Sequence, residues 1–261
     1  MDKASICGVI LAISGIVAGL LIEGGNLGQI LQPTAAMIVF GGTLGAVLLQ
    51  YPLTTVIAAV RRLSHVFAAP DQQNMQYINQ LVSFANKARR SGVVALDNDL
   101  QLITDPFMKQ ALMLAVDGTE PAELRKIMQV TLNSRTDADD RLPAVFESAG
   151  GFSPTIGILG AVLGLIQVMQ HLDNIQEVGR GIAVAFVATI YGVGAANLFF
   201  LPAAGKLRLR VREELQRHEM ILEGVISILE GMNPRMLEVK LSGFLDQSDV
   251  PPARNKKERA A

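Results

Sequence analysis

Long uncharged runs alternate with polar regions along this chain. The uncharged runs cover residues 4–22, 33–51, 148–170 and 181–204. A helix needs roughly 20 mainly apolar residues to cross a bilayer, and each run has about that length. The first run could be a signal peptide, but no small-residue cleavage pattern follows it and a second apolar run comes next. The pattern therefore predicts four retained transmembrane helices.

Small residues recur at helical spacing in the third and fourth runs. They are Gly157, Gly160 and Gly164 in the third run and Ala185 and Gly192 in the fourth. Offsets of three, four and seven place each set on one face of its helix. In lipid, faces of small residues let two helix backbones approach closely. We therefore predict a tightly packed hairpin of the third and fourth spans.

The regions after the second and fourth apolar runs are polar, and their patterns predict helices. Residues 52–147 predict a helical insert, with helices over residues 71–92, 106–116 and 121–135 and no alternating strand pattern. Residues 205–246 predict amphipathic helices, either a cytosolic extension of the fourth span or a helix on the membrane surface. Residues 247–261 are rich in proline and charge and predict disorder. The expected fold is an all-α membrane protein with domains 1–51, 52–147, 148–204, 205–246 and 247–261.

Basic residues fall almost entirely on one side of the predicted membrane. Of the 23 lysines and arginines, only Arg180 lies in a short loop on the other side. The positive-inside rule then places both termini, the insert and the tail in the cytoplasm, which an even number of spans allows.

Composition supports a membrane protein and gives no sign of catalysis. Only 18% of residues are charged, whereas soluble domains carry about 25%. The net charge of −1 does not indicate a nucleic-acid partner, and one cysteine with three scattered histidines predicts neither a metal site nor a cofactor. No nucleophile–base pair can be assembled, so we expect no enzyme. The third and fourth spans hold no acid or base, which indicates that the titrating group of any ion path belongs to a partner chain.

Several separated motifs resemble one family. Residues 151–165, with the sequence GFSPTIGILGAVLGL, resemble the third-span signature of flagellar stator A subunits, the MotA/PomA branch of the MotA/TolQ/ExbB superfamily. Residues 188–192 and 200–202 resemble its fourth-span signature, and residues 230–235, EGMNPR, its EGxNPR segment. The early runs EGG and GGTLGAVLLQ resemble those of the MotC-type second stators of some bacteria. The resemblance covers residues 1 to about 247 in the order that the family requires.

The resemblance implies a rotary machine in the bacterial inner membrane. In this family five A subunits surround two B subunits of the MotB or MotD type, whose helices carry an essential aspartate. Ion flow past that aspartate is thought to turn the A ring, and the A insert then pushes the rotor protein FliG. The chain would thus be a homopentamer component and not an enzyme.

The resemblance also implies functional residues. Pro154 and Pro202 match two prolines that couple ion flow to motion, although a proline in such a place can simply punctuate a helix. Arg89, Arg90 and Asp97 match charged residues that meet the rotor. Some relatives have two adjacent acids where this chain has Asp97-Asn98, so Asp99 is a further candidate for the acidic contact. Charges in this pattern can also be an ordinary solvated helix end.

The transported ion is predicted from one substitution. Sodium-driven relatives have threonine at the positions of both Ala161 and Thr189, and Na⁺ requires several oxygen ligands as it loses water. With alanine instead of threonine at position 161, this chain has one hydroxyl fewer at these positions. We therefore predict proton transport and consider Na⁺ the weaker alternative. Thr189, Ala161 and Thr155 would line the path.

Two other functions fit the sequence less well. An ExbB/TolQ-type energiser of outer-membrane transport would have three spans, so the two spans before the insert argue against it. A small-molecule permease would show polar groups at the bilayer midplane and often repeated halves, and the sequence shows neither.

Overall fold

The computed structural model describes residues 3–63 and 74–245. Within these ranges the chain consists of helices and turns, without a β-strand. Four helices are long and apolar enough to cross a membrane, which confirms the predicted all-α fold with four apolar helices. The predicted helix start near residue 71 and the predicted disordered tail, residues 247–261, lie outside the described residues.

The helices follow one another in this order: α1 (Lys3–Ile22), α2 (Pro33–Ala36), α3 (Gly42–Gln50), α4 (Leu53–Arg62), α5 (Asn74–Ser91), α6 (Pro106–Val116), α7 (Pro121–Gln170), α8 (Ile175–Ala195), α9 (Leu201–Leu229) and α10 (Pro234–Ser242). Two π-helical turns make longer continuous helices. Met37–Gly41 joins α2 to α3, and Ala196–Phe200 joins α8 to α9. Short 3-10 segments cover Leu27–Gln29 and Val93–Leu102.

The third span is part of a much longer helix than the sequence suggested. We expected a helix ending near residue 135 and a new one starting near residue 148, but α7 runs through both as one helix of 50 residues. Pro143 and Pro154 lie inside it without ending it. A proline removes one backbone hydrogen bond, and the packed turns on either side keep the helix intact. The predicted boundaries 147/148 and 204/205 consequently fall inside α7 and α9.

The chain forms two compact units. The first comprises Met1–Ala69 and Ala138–Arg210, and the second comprises Pro70–Asp137 and Val211–Ala261. Because α7 and α9 each contribute to both, the units are assembled from segments that are distant in sequence.

The first unit contains the apolar helices and is held together at two levels. At one level α2 and the π turn after it pack on α8, with a core of Ala35, Val39, Val184, Val187 and Ala188. The Tyr191 hydroxyl donates to the carbonyl of Ile30 (2.5 Å) and accepts from the N–H of Gln32 (3.3 Å). A phenol hydroxyl in apolar surroundings needs such partners, so Tyr191 fastens the segment before α2 to α8.

The second level lies at the other end of α3. The Tyr51 hydroxyl donates to the carbonyl of Ala144 (3.1 Å) and shares a hydrogen bond with Ser148 Oγ (2.9 Å). Arg208 of α9 pairs with Glu147 of α7 at 2.6 Å. An apolar cluster surrounds these contacts: Val47, Val56, Ala59, Val145, Phe146, Ala149, Ala204 and Leu207. Hydrogen bonds, an ion pair and apolar packing therefore hold the C-terminal end of α3 against α7 and α9.

The second unit is a helical bundle with one continuous core. Its largest fully buried side chains include Phe107, Ile78, Leu124 and Met220, which come from four different helices. Asp105 begins α6 by accepting a hydrogen bond from the N–H of Met108 (2.8 Å), the usual role of an N-cap carboxylate.

The segment 230–235 makes the corner between α9 and α10. Gly231 has φ +73°, a left-handed conformation that glycine adopts at helix ends, and the N–H of Met232 returns to the carbonyl of Ser227 (2.9 Å). Asn233 then caps α10 by accepting from the N–H of Arg235, and Pro234 occupies the first helical position. The glycine, asparagine and proline of EGMNPR thus have a structural explanation as one helix stop and one helix start.

Candidate functional site

Close contact between α7 and α8 forms the centre of the first unit. A methyl group added at Gly157 would lie 2.8 Å from the carbonyl oxygen of Ala188, and one at Gly192 would lie 2.6 Å from that of Ser153. Gly160 faces Ala188 and Gly164 faces Ala185 in the same way, each at a distance that admits no larger residue. The five residues predicted for helix packing all lie in this contact.

Two further residues of the contact were missed from the sequence. Ser153 is fully buried, and its hydroxyl donates to the carbonyl of Gly192 (3.0 Å). Gly181 approaches Gly164, because a methyl group there would lie 3.0 Å from the Gly164 carbonyl oxygen. Both continue the small-residue spacing of their helices by a further three or four residues, which is the signal that could have found them.

Ala161 and Thr189 stand at the same level of this helix pair. Each directly follows a residue of the contact between Gly160 and Ala188, and each is half-buried. The Thr189 hydroxyl donates to the carbonyl of Ala185 (3.2 Å) in its own helix. Its oxygen therefore keeps lone pairs for a further donor or a cation.

Thr155 lies apart from that pair. It precedes Ala161 by six residues, which is about 9 Å along the helix axis. Its side chain is exposed, and its hydroxyl donates to the carbonyl of Phe152 (2.8 Å). Ala161 and Thr189 therefore both flank the contact between Gly160 and Ala188, whereas Thr155 is on the exposed face of α7.

The two predicted prolines lie inside helices. Pro154 follows the buried Ser153 within α7 and is half-buried. Pro202 is exposed in the first turn of α9, directly after the π turn Ala196–Phe200. There the N–H of Leu201 reaches back five residues to the carbonyl of Ala196.

The π turn beside Pro202 has a physical cause. Proline lacks an N–H and its ring crowds the carbonyl four residues earlier, so the preceding helical turn widens. The side chain of Asn197 donates to the carbonyl of Val193 (2.9 Å) in the same turn. The fourth span therefore changes its hydrogen-bonding pattern at Pro202, where a helix bends most readily.

The predicted charged residues gather on the second unit. Arg89 and Arg90 are exposed in the last turn of α5, where cations are favoured by the helix dipole. Gly92, with φ +79°, ends that helix and turns the chain into the 3-10 segment that carries Asp97 and Asp99. Exposed basic residues thus precede this turn and an exposed acid follows it.

The two acids in this segment differ in their environment. Lys87 Nζ donates to Asp99 Oδ2 at 2.6 Å, a partner that sequence reasoning missed. Asp97 is exposed, and within residues 3–63 and 74–245 neither it nor Arg89 or Arg90 makes an ion pair. Asp97 is consequently the acid of this surface that remains available to a partner.

Elsewhere in the second unit, ion pairs join neighbouring helices at the surface of the bundle. Glu223 of α9 pairs with Arg125 of α7 and with Lys240 of α10 (2.8 Å). The hydrogen bond from Arg125 holds the pKa of Glu223 below its usual value and raises that of Arg125. The His218 ring lies 4.5 Å from the Phe107 ring, and burial lowers its pKa below the ordinary 6.5. Among the described residues no group of histidines, cysteines and acids could hold a metal ion.

Comparison with known proteins accounts for both units. Residues 6–92 match the model described as "Motility protein A N-terminal", and residues 99–220 match that of the "MotA/TolQ/ExbB proton channel family". The chain belongs to the MotA/TolQ/ExbB proton channel family. Motility protein A of Bacillus subtilis is 36% identical over 251 residues, which is 95% of this chain and 93% of that protein.

Other members extend the likeness to sequence and fold together. Chemotaxis protein PomA of Vibrio alginolyticus is 28% identical over 95% of this chain and 96% of its own length. Among solved structures, C. jejuni MotAB matches with a TM-score of 0.89 and 32% identity, over 96% of this chain and 99% of that chain. The flagellar MotAB stator complex of Bacillus subtilis matches at 0.86 and 35%, over 95% and 98%.

These relatives decide between the functions considered from the sequence. The matches cover at least 93% of these motility proteins and stator chains, and this chain has four apolar helices, so an ExbB/TolQ-type energiser is not favoured. In sequence and fold the chain is a flagellar stator subunit, and its relatives belong to a motor complex and are not enzymes.

Proposed function

We propose that this chain is the stator A subunit that works with a MotB-type subunit to conduct protons and apply torque to the flagellar rotor. The observation that carries the proposal is the α7–α8 pair. In this pair, glycines of each helix pack directly on backbone atoms of the other helix. The Thr189 hydroxyl lies beside that contact. The spans that hold it contain no acid or base.

A proton needs a titratable group as well as a path. Residues 148–170 and 181–204 contain no aspartate, glutamate, histidine, lysine or arginine, so the partner subunit supplies the acid, as an aspartate in its own membrane helix. The A subunit then contributes shape and a hydroxyl. Ala161 at the level of Thr189 leaves too few oxygens to replace the hydration shell of Na⁺, and this favours H⁺.

The proposed assembly has five copies of this chain around two partner subunits in the bacterial inner membrane. Both termini and the second unit lie in the cytoplasm, because all but one of the lysines and arginines fall on that side. The mass of the purified complex tests the stoichiometry. A mass that fits any ratio other than five to two would contradict it.

Swimming tests the function itself. The chromosomal stator genes are deleted, and this gene is restored with its neighbouring B-type gene in media with and without sodium. We expect swimming that persists without sodium and stops with a protonophore. Dependence on sodium would refute proton transport but leave the stator function. No swimming in either medium, with both proteins in the membrane, would refute the stator function.

Thr189 is tested by a pair of substitutions. Thr189→Ala removes the hydroxyl and is expected to reduce proton flux and swimming speed, whereas Thr189→Ser retains the hydroxyl and restores both. Thr136→Ala is the matched control, because its hydroxyl also donates to the carbonyl four residues earlier (2.9 Å) but lies in the second unit. Equal swimming of Thr189→Ala and Thr136→Ala would show that Thr189 has no part in the path.

The charged surface of the second unit is proposed to contact the rotor protein FliG. Arg89, Arg90 and Asp97 are exposed around Gly92, and charge complementarity suits a contact that forms and breaks repeatedly. Arg90→Glu should abolish swimming while the complex still conducts protons. Arg212→Glu makes the same charge reversal at an exposed position of α9, and cells with this variant should swim normally. Loss of proton conduction in Arg90→Glu would instead indicate a defect in assembly.

A further inference from the structure

The segment that carries Asp97 is an unusually long 3-10 helix. Val93–Leu102 contains 10 residues, whereas 3-10 helices rarely exceed about four, because their hydrogen bonds have poorer geometry. Gly92, with φ +79°, joins this segment to α5 by a sharp turn. A helix of this kind and length needs support from its side chains. The position of Asp97 depends on that support, because this residue lies in the middle of the segment.

Apolar side chains anchor one side of the segment. Leu96 and Leu100 are buried in the core of the second unit. Residues three apart eclipse one another in a 3-10 helix, so the half-buried Asp99 lies next to Leu96. By the same spacing, Asp97 lies next to Val94, whose side chain is 70% exposed. The two acids therefore face different ways, with Asp99 towards the bundle and Asp97 towards the solvent.

A bond from Lys87 holds Asp99 in this place. The Nζ atom of Lys87 donates to Oδ2 of Asp99 at 2.6 Å, a short charge-assisted hydrogen bond. Lys87 precedes Gly92 in α5 and Asp99 follows it, so the bond spans the turn between the two elements. The Lys87 and Asp99 side chains are 39% and 24% exposed, so water and salt screen this pair less than a fully exposed one.

We propose that Asp99 is a positioning residue and not a rotor contact: its bond to Lys87 fastens the 3-10 segment to α5 and thereby presents Asp97. The inference rests on the rotor contact of Asp97 proposed above. It adds Lys87 to the residues that this contact requires and gives the two acids separate roles. Without the bond, the turn at Gly92 moves more freely, and Asp97 spends less time in the position from which it meets the rotor.

Hydrogen exchange tests the fastening without the use of motility. Amide exchange of residues 93–102 is followed by mass spectrometry in the complete complex with its B subunit. Lys87→Gln should speed this exchange by up to about fivefold, the most that loss of a partly exposed ion pair changes an opening equilibrium. Lys126→Gln is the matched control, because Lys126 pairs with Glu123 inside one helix of the same unit. Equal exchange of residues 93–102 in these two variants would overturn the fastening.

Reversal of the two charges tests the role of Asp99 in swimming. Lys87→Gln and Asp99→Asn should slow swimming to a similar extent, with proton conduction retained. Lys87→Asp combined with Asp99→Lys rebuilds the bond with opposite polarity and the same combined side-chain length, so it should restore both swimming speed and slow hydrogen exchange. If Asp99 met the rotor itself, this double variant would place the wrong charge at the contact. Slow hydrogen exchange without recovery of swimming would therefore overturn the positioning role.

Arg90→Glu separates failure of this inference from failure of the proposed function. If Arg90→Glu abolishes swimming but Lys87→Gln swims as fast as Lys126→Gln, the rotor contact stands and the positioning role is overturned. If Arg90→Glu swims normally, the rotor contact fails and the positioning role fails with it. Faster hydrogen exchange in Lys87→Gln would in that case still show that Lys87 fastens the segment to α5.

Discussion

Substitution of Gly157 by alanine should separate the third and fourth spans. The added methyl group would lie 2.8 Å from the carbonyl oxygen of Ala188, whereas ordinary contact begins at 3.4 Å. The two helices must therefore move apart by about 0.6 Å, because the opposing atom belongs to backbone and cannot rotate away. Gly192→Ala is the more severe case, at 2.6 Å from the carbonyl oxygen of Ser153.

The expected loss of stability combines two opposing effects. Overpacking of a closely packed contact typically costs about 1–3 kcal/mol. Replacement of glycine by alanine inside a helix returns about 0.5–1 kcal/mol. The difference of these terms spans about 0–2.5 kcal/mol, so we expect Gly157→Ala to lose about 1 kcal/mol in its free energy of unfolding. Gly192→Ala should lose more than Gly157→Ala.

The same helices provide the controls. A methyl group at Gly151 in α7 or at Gly194 in α8 would have no atom within 4 Å, so alanine there should be neutral or stabilising. The assay is unfolding of the purified protein in mild detergent by titration with sodium dodecyl sulfate, followed by circular dichroism. If Gly157→Ala unfolds at the same detergent fraction as Gly151→Ala, the close contact does not limit stability and the reasoning fails.

Three further predictions concern the second unit. Burial lowers the pKa of His218, and Arg135 and Arg217 act in the same direction against Asp105 and Glu214, so the unfolded chain binds the proton more readily. Stability should therefore fall as the pH drops below 6.5, and thermal unfolding of His218→Leu should lack this part of the pH dependence. Glu223→Gln weakens the bonds to Arg125 and Lys240 and should lower the free energy of unfolding by about 1 kcal/mol, against almost no loss for Lys126→Gln, whose ion pair is exposed. Gly231→Ala forces alanine to φ +73° and should cost about 1 kcal/mol or more in thermal unfolding, whereas Gly205→Ala, in open space within α9, should not.

Much of the first unit could be predicted because hydropathy and residue size act locally. Four apolar runs predicted the four apolar helices, and glycine spacing placed Gly157 and Gly192 on the faces that meet. Helix ends were harder. We expected one helix to end near residue 135 and another to start near residue 148, yet α7 continues through both positions and through Pro154, because packing outweighs the loss of one hydrogen bond.

The candidate sites were only partly visible in the sequence. Arg89, Arg90 and Asp97 were recognised as a charged set, but the bond from Lys87 that engages Asp99 joins residues twelve positions apart. Tyr191 lies in the fourth apolar run, and its partners Ile30 and Gln32 lie about 160 residues away in the chain. Pairings of this kind leave no periodic signal, since each depends on how distant helices are brought together.

The sequence alone determined the four spans, the side on which the basic residues gather and the faces through which the third and fourth spans can approach. These properties follow from the composition and period of single helices. The tertiary structure decided which faces actually meet and that α7 and α9 run through both units. Contacts and cavities arise between helices, so they depend on distances that no single segment of sequence specifies.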